Sequence, residues 1–290
     1  MTFVGLIHTH MIDVITVVFR DELKILQAQA ESVARYCKQL DIGNIYVVVN
    51  DEDNITQLIN GSWWGELHDR VIVTPRSVFS TQWHSNGWVS QQALKLMTAS
   101  ISYGHYSMIL DAKTIFVREL TLDKLFNQSA QLQIGQLDVS PVFEPSRKIV
   151  NQLWNIDLQK QAGPGGVPFF VSNDVVRAMI ADVYAYTHQN FPTWFQSQGM
   201  VTEFILYSGY IVKGAGSLDV LYSQHNHIGG IVNVCHSEIA AWDRKFAEMK
   251  NPNTLTVSVH RGAWVKMTSE QQQQYQMFLI DHGVTQAWQI

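Results

Sequence analysis

"DVITVVFRDELKILQAQAESVARYCKQLDIGNIYVVVND", residues 13–51, decides the fold class. Its first part, "DVITVVFR" (13–20), is a short β-branched run and reads as a buried strand. In the next part Leu23, Leu26, Ala30, Val33, Cys37 and Leu40 recur at alternating spacings of three and four, a helical stripe that faces a core. Asp21 and Glu22 stand at the helix N-terminus, where negative charge is favoured. "DIGN" turns the chain, and "IYVVVND" (45–51) is again a continuous apolar strand. Strand, helix and strand within about 40 residues make a βαβ unit, which builds a parallel sheet with a right-handed crossover.

Working outward, "RVIVT" (70–74) predicts a third strand, and "SQQALKLMTASI" (90–101) a helix leading into the strand "YSMILDA" (106–112). The strand ends then fall at Phe19–Arg20, Asn50–Asp51 and Asp111, all polar. Open α/β sheets bind ligands beyond the carboxyl ends of their strands, so these positions define the expected site. The second half is less regular. "QAGPGGVPFF" (161–170) reads as a glycine-proline loop with exposed aromatics. Helices are expected at 172–187, with Ser172 or Asn173 as cap, at 202–211 with Thr202 as cap, and at 269–283. "TLTVSVH" (254–260) alternates as a strand ending at His260. With no internal repeat and no long linker, residues 1–290 are expected to form one domain.

The chain is 46% hydrophobic and 16% charged, a globular composition. No apolar stretch reaches the roughly 18 residues that span a bilayer, and "MTFVGLIHTHMID" lacks the basic region and cleavage site of a signal peptide. Cys37 and Cys235 are expected to be two buried thiols of a reducing, cytoplasmic compartment. A net charge of −5 disfavours nucleic acid and acidic membranes at long range. The P-loop, nucleophile-elbow, zincin and C-x-x-C signatures are missing, and "KGAGS" (213–217) is no dinucleotide fingerprint.

Asp111 and Lys113 lie two positions apart and point the same way on a strand. Burying either alone is costly, so the strand is expected to end near Asp111 and open both into a cleft. The carboxylate there could hold a divalent cation against a diphosphate, or the lysine could touch the phosphates itself. The plain alternative is an inert, self-compensating pair. Gln91 and Lys95 share a helix face (i, i+4) beside Trp88 and Gln92, a polar set suited to sugar hydroxyls or phosphate oxygens, or simply a solvated face. Glu203 opens a helix, where the dipole favours its charged form and fits it for a base. His225 and His227 form a feasible metal pair if extended, and His260–Arg261 could bind an anion through Arg261. Trp154, Phe169, Phe170, Trp194 and Phe195 are either flat surfaces for sugar rings or ordinary core.

Together, "VITVVFRDELKIL", "IYVVVND", "GWVSQQALKL", "MILDAKTIFVREL", "TEFILYSGYI" and "VSVHRGAW" resemble a bacterial and phage family related to the GT-A glycosyltransferases. "GW-x-x-QQ-x-x-KL" followed by "LDAK-x-x-F" carries most of that resemblance. It implies a GT-A-like α/β fold, a mainly parallel sheet flanked by helices. Residues 13–120 would bind a nucleotide-diphospho-sugar donor and residues 121–290 an acceptor (glycan, small molecule or modified DNA base). Val18, Phe19, Arg20 and Asp51 would hold the nucleoside, Glu203 would be the base of an inverting transfer, and Asp111 would match the first acid of an Asp-x-Asp metal motif. Lys113 replaces the second acid. Either Asp111 holds a divalent cation (Mn or Mg) with a later histidine, His260, His225 or His227, or cationic side chains replace the metal. Nucleotidyl transfer to a sugar phosphate and non-catalytic binding are the rival readings. The first is disfavoured by "FRDELK", which lacks a glycine-rich loop after the first strand.

Overall fold

The computed structural model describes residues 11–133, 137–138, 141–158, 163–164, 166–223 and 228–284. Four strands, β1 (Ile12–Val18), β2 (Ile42–Val49), β3 (Val71–Pro75) and β4 (Tyr106–Asp111), run parallel. After the short β5 (Ile115–Phe116), β6 (Phe169–Ser172) pairs antiparallel with β4, giving the order β3-β2-β1-β4-β6. All of β1 is buried, which is why it reads as a continuous apolar run rather than an alternation.

Register sets the working edge of this sheet. Val18 pairs with Val49, Val49 with Pro75, and Val17 with Asp111, so four strands finish level. A second sheet joins β7 (Gly230–Val234) parallel to β8 (Thr254–Val259), and β8 antiparallel to β5. Because β5 follows β4 after a tight turn, with Thr114 N–H donating to Asp111 O at 2.8 Å, the second sheet delivers the end of β8 to that same edge.

The main helices are α1 (Leu23–Tyr36), α2 (Gly87–Ile101), α3 (Glu144–Trp154), α4 (Asn173–Thr187), α5 (Phe191–Gln198), α6 (Glu203–Ala215), α7 (Trp242–Met249) and α8 (Ser269–Asp281). α1 follows the predicted stripe as far as Val33, with Gln29 and Ser32 also buried on it, but it ends at Tyr36, so Cys37 and Leu40 are buried beyond the helix. α2 starts three residues before the predicted 90, because the Asn86 side chain accepts from Trp88 N–H and caps it. It packs against β1, α4, α5 and α6, and so lies between the sheet and the second half.

Several expectations are corrected. Phe169 and Phe170 are not exposed loop aromatics; they lie buried in β6, and Trp154, Trp194 and Phe195 are core as well. Ser172 and Thr202 hold the cap positions of α4 and α6 without a capping side-chain bond. Asn173 instead turns inward, accepting from Ser107 Oγ and donating to Gly104 O, 2.7 Å each. Cys37 is buried, but Cys235 is half-buried. Among the described residues no helix is long and apolar enough to cross a membrane.

Candidate active site

At the end of β4 four charged side chains stand in a row. Lys113 Nζ donates to Asp111 Oδ2 at 2.7 Å, Lys95 Nζ to Asp111 Oδ1 at 2.7 Å, and Lys95 Nζ to Glu203 Oε1 at 2.9 Å. The inner pair is buried and the outer pair is only partly exposed: Glu203 0%, Lys95 2%, Asp111 21%, Lys113 16%. The signs alternate from a buried anion to a partly exposed cation. Gln91 Nε2 adds a 3.3 Å bond to Asp111 Oδ1, and the Gln92 amide, oriented with its nitrogen as donor, faces Glu203.

Burial alone would raise the Asp111 carboxyl, but Lys113 and Lys95 override it and hold the group well below the usual carboxylate range. Burial would lower Lys95, yet Asp111 and Glu203 raise it above the ordinary lysine value. Glu203 is raised by burial, with Lys95 offsetting part of the shift. Desolvation is thus the largest influence on Glu203, one that its position at a helix start did not reveal. In this conformation its carboxylate faces Lys95 and Gln92 rather than a cleft. A base needs hydrogen-bond reach to its proton; in this conformation the bonds of the fully buried Glu203 go to Lys95 and Gln92. Lys95 likewise lies behind Asp111, so its expected contact with donor phosphates is replaced by the two carboxylates.

The backbone under the row is held by Gln29 of α1, which Thr16 of β1 orients. Thr16 Oγ1 donates to Gln29 Oε1 at 2.8 Å, and Gln29 Nε2 donates to Asp111 O at 2.5 Å. Gln29 falls on the α1 stripe, three residues after Leu26, where a polar side chain signals a buried partner.

The exits of β1 and β2 form the neighbouring part of the edge. Asp51 Oδ2 accepts from Arg20 N–H at 3.3 Å, and Arg20 Nη2 pairs with Glu52 Oε2 at 3.2 Å. Buried Asn50 is the hub: Nδ2 donates to Gly87 O (2.9 Å), while Oδ1 accepts from Ser90 Oγ (2.9 Å) and Arg76 Nη1 (3.2 Å). It ties the end of β2 to the start of α2 and to the residue after β3. Phe19 lies over Gly87, where an added Cβ would stand 2.6 Å from the ring. Trp88, on the first turn of α2, is exposed.

The second sheet closes the edge. His260 follows β8, and Arg261, in the helical turn Arg261–Trp264, pairs with Asp21 beyond β1. Burial, and then the positive charge of Lys113, lowers the His260 imidazole to about 4. Glu22, whose Oε2 accepts from Phe19 N–H at 3.2 Å, lies in the field of Lys113 and Asp111, and burial raises its carboxyl. Dipole compensation, the sequence reading of Glu22, missed this. The structure thus brings together Asp111, Lys113, Lys95, Gln91, Gln92 and Glu203, with Phe19, Arg20, Asp51, Trp88, His260 and Arg261 at the same edge. His225 and His227 lie outside the described residues.

A folded-state value depressed below the unfolded one, about 6.5, gives His260 a stability contribution that is full above that pH. It is lost as pH falls through about 4. Urea midpoints measured across pH 7 to 4 are expected to fall less in His260→Asn than in the parent. Parallel curves would reject this.

A divalent cation does not fit the described donor set. Both oxygens of Asp111 are engaged by ammonium groups, and a cation placed there would face two like charges at contact distance. Among the described residues no three His, Cys, Asp or Glu side chains converge on one point.

The sheet is mixed and mainly parallel, with helices flanking it, and solved glycosyltransferases of the GT-A fold match this architecture. A galactosyltransferase, LgtC, in complex with donor and acceptor sugar analogs matches with a TM-score of 0.51 and 11% identity, over 96% of this chain and 98% of its own. The apo bifunctional glycosyltransferase WbbM matches with 0.50 and 13% identity, over 97% of this chain and 53% of WbbM, about half that protein. At these identities the likeness is one of fold. No curated protein matches the chain in sequence. The chain belongs to the family of unknown function DUF6492, whose profile matches residues 8–278.

Proposed function

We propose that the protein is a glycosyltransferase that moves a sugar from a nucleotide-diphospho-sugar donor to an acceptor hydroxyl. The observation that carries this reading is the level edge of β1, β2 and β4, with the partly exposed Lys113 held on Asp111 there in a GT-A fold. Phe19, Arg20 and Asp51 border the nucleoside, Trp88 and Gln91 flank the sugar, and Lys113 and Arg261 face the diphosphate. Positive groups fixed before the reaction stabilise the charge that develops on the leaving diphosphate. Residues 13–120 act as the donor half and 121–290 as the acceptor half. Glu203 serves here by holding Lys95 against Asp111 and does not act as the base. A cytoplasmic setting stays part of the proposal on the two free thiols.

Titration calorimetry across nucleoside diphosphates and their sugars tests the reading. At least one nucleotide class is expected to bind in one-to-one ratio and to raise the melting temperature, because a ligand selective for the native state stabilises it. Absence of binding by every nucleotide would remove the donor site.

A further inference from the structure

We propose that this chain grips the diphosphate of its donor with an ammonium group, Lys113, in the place where a divalent cation would otherwise sit. The inference rests on the donor reading above and specifies how that site meets phosphate.

Three observations carry it. First, each oxygen of Asp111 already meets an ammonium group: Oδ1 accepts from Lys95 (2.7 Å) and Gln91 (3.3 Å), and Oδ2 from Lys113 (2.7 Å). Second, the row places a positive charge, Lys113, in its partly exposed half. Buried Glu203 and Lys95 compensate each other, and Asp111 bridges Lys95 to Lys113. Were Asp111 a metal ligand, the buried Lys95 would compete with the metal; as the support of Lys113 it is well served by Lys95, which keeps it ionised. Third, Lys113 is placed as such a cation should be. Its stem leaves the turn after β4, its head is fixed by Asp111, and it reaches the level edge beside the exit of β1. An ammonium carries three N–H donors, and the bond to Asp111 uses one.

An ammonium and a divalent cation differ in a way that can be measured. A lysine-held diphosphate binds in the presence of a chelator; a metal-held one does not. Nucleoside diphosphates are titrated into the full chain by calorimetry, in excess EDTA and with Mn2+ or Mg2+, and Mn2+ alone is followed by electron paramagnetic resonance. The parent protein is expected to bind the nucleotide with Kd values within about threefold across the three conditions. Free Mn2+ is expected to remain unbound. Lys113→Met is expected to weaken nucleotide binding by about tenfold or more, and Lys113→Arg by less. Lys113→Asp, which restores a second acid, is expected to bind nucleotide only with Mn2+ present.

Binding by the parent that needs a cation, or tight Mn2+ binding without nucleotide, would overturn the inference while leaving the donor site standing. Binding by no nucleotide under any condition would overturn both. The comparison of EDTA with metal in the parent needs no variant, so a variant that fails to fold does not spoil the test.

Discussion

Lys95→Met is expected to cost about 3–5 kcal/mol of unfolding free energy, the cost typical of breaking a buried ion pair by removing one partner. Methionine keeps most of the stem packing, so the loss reports on charge. Glu203 would be left fully buried with no cation, and Asp111 would keep only Lys113. Lys95→Met combined with Glu203→Gln is expected to recover part of the loss, since a neutral amide is easier to bury than a carboxylate. Urea unfolding of both single variants and the double variant at pH 7 gives the coupling directly. A cost below about 1 kcal/mol for Lys95→Met would mean that the row is incidental.

The pH dependence of that variant follows from the signs. Asp111 has a folded value below its unfolded one, so its contribution is present above about 3.9 and is lost as pH falls through the lower folded value. Glu203 is raised on folding, so its contribution is full below about 4.3 and is lost as pH rises through the folded value. At neutral pH Lys95 compensates an ionised Glu203. The deficit of Lys95→Met is therefore expected to shrink as the pH is lowered from 7 towards 4 and Glu203 takes up a proton. The same measurements separate the two roles of Glu203. As the partner of Lys95, Glu203→Gln changes the melting temperature; as a base it would stop turnover and leave melting unchanged.

Asn50→Leu is the second large effect. Leucine fills nearly the same volume but leaves Gly87 O, Ser90 Oγ and Arg76 Nη1 without the bonds that Asn50 provides. None of the three is orphaned, since Ser90 Oγ also donates to Gly87 O at 3.0 Å and Arg76 Nη1 to the Asn50 backbone O at 3.3 Å. The cost is therefore that of the lost net hydrogen bonds, about 1–3 kcal/mol in all. The loss also loosens the first turn of α2, which carries Trp88 and Gln91, so nucleotide affinity is expected to fall about tenfold. Thermal melting and calorimetry on one preparation check both effects. Unchanged affinity alongside lowered stability would show that Asn50 supports the fold alone.

Much of the first 120 residues was legible because the signals there are local. The β-branched runs of β1 and β2 and the stripe of α1 are periodicities within a few residues, and they place Asp111, Asp51 and Arg20 at one sheet edge. Gln91 and Lys95 on one helix face followed equally from spacing. Whether that face met water did not. The i, i+4 pattern is the same for a solvated face and for one that meets a carboxylate arriving from 108 positions away, and Glu203 on α6 was that partner.

Local composition by itself determined that the chain folds as strand, helix and strand, with polar residues where the strands stop. Tertiary structure alone decided what those residues do. Phe169 and Phe170, read as loop aromatics from their glycine-proline neighbours, became a core edge strand because β4 offered them an antiparallel partner. Asn50 became a hub because α2 and the chain after β3 converge on it. Lys95 became a buried link because two carboxylates from distant segments meet at its head. The free energy of burying a charge depends on which opposite charge is within reach, and that is a property of the packed chain.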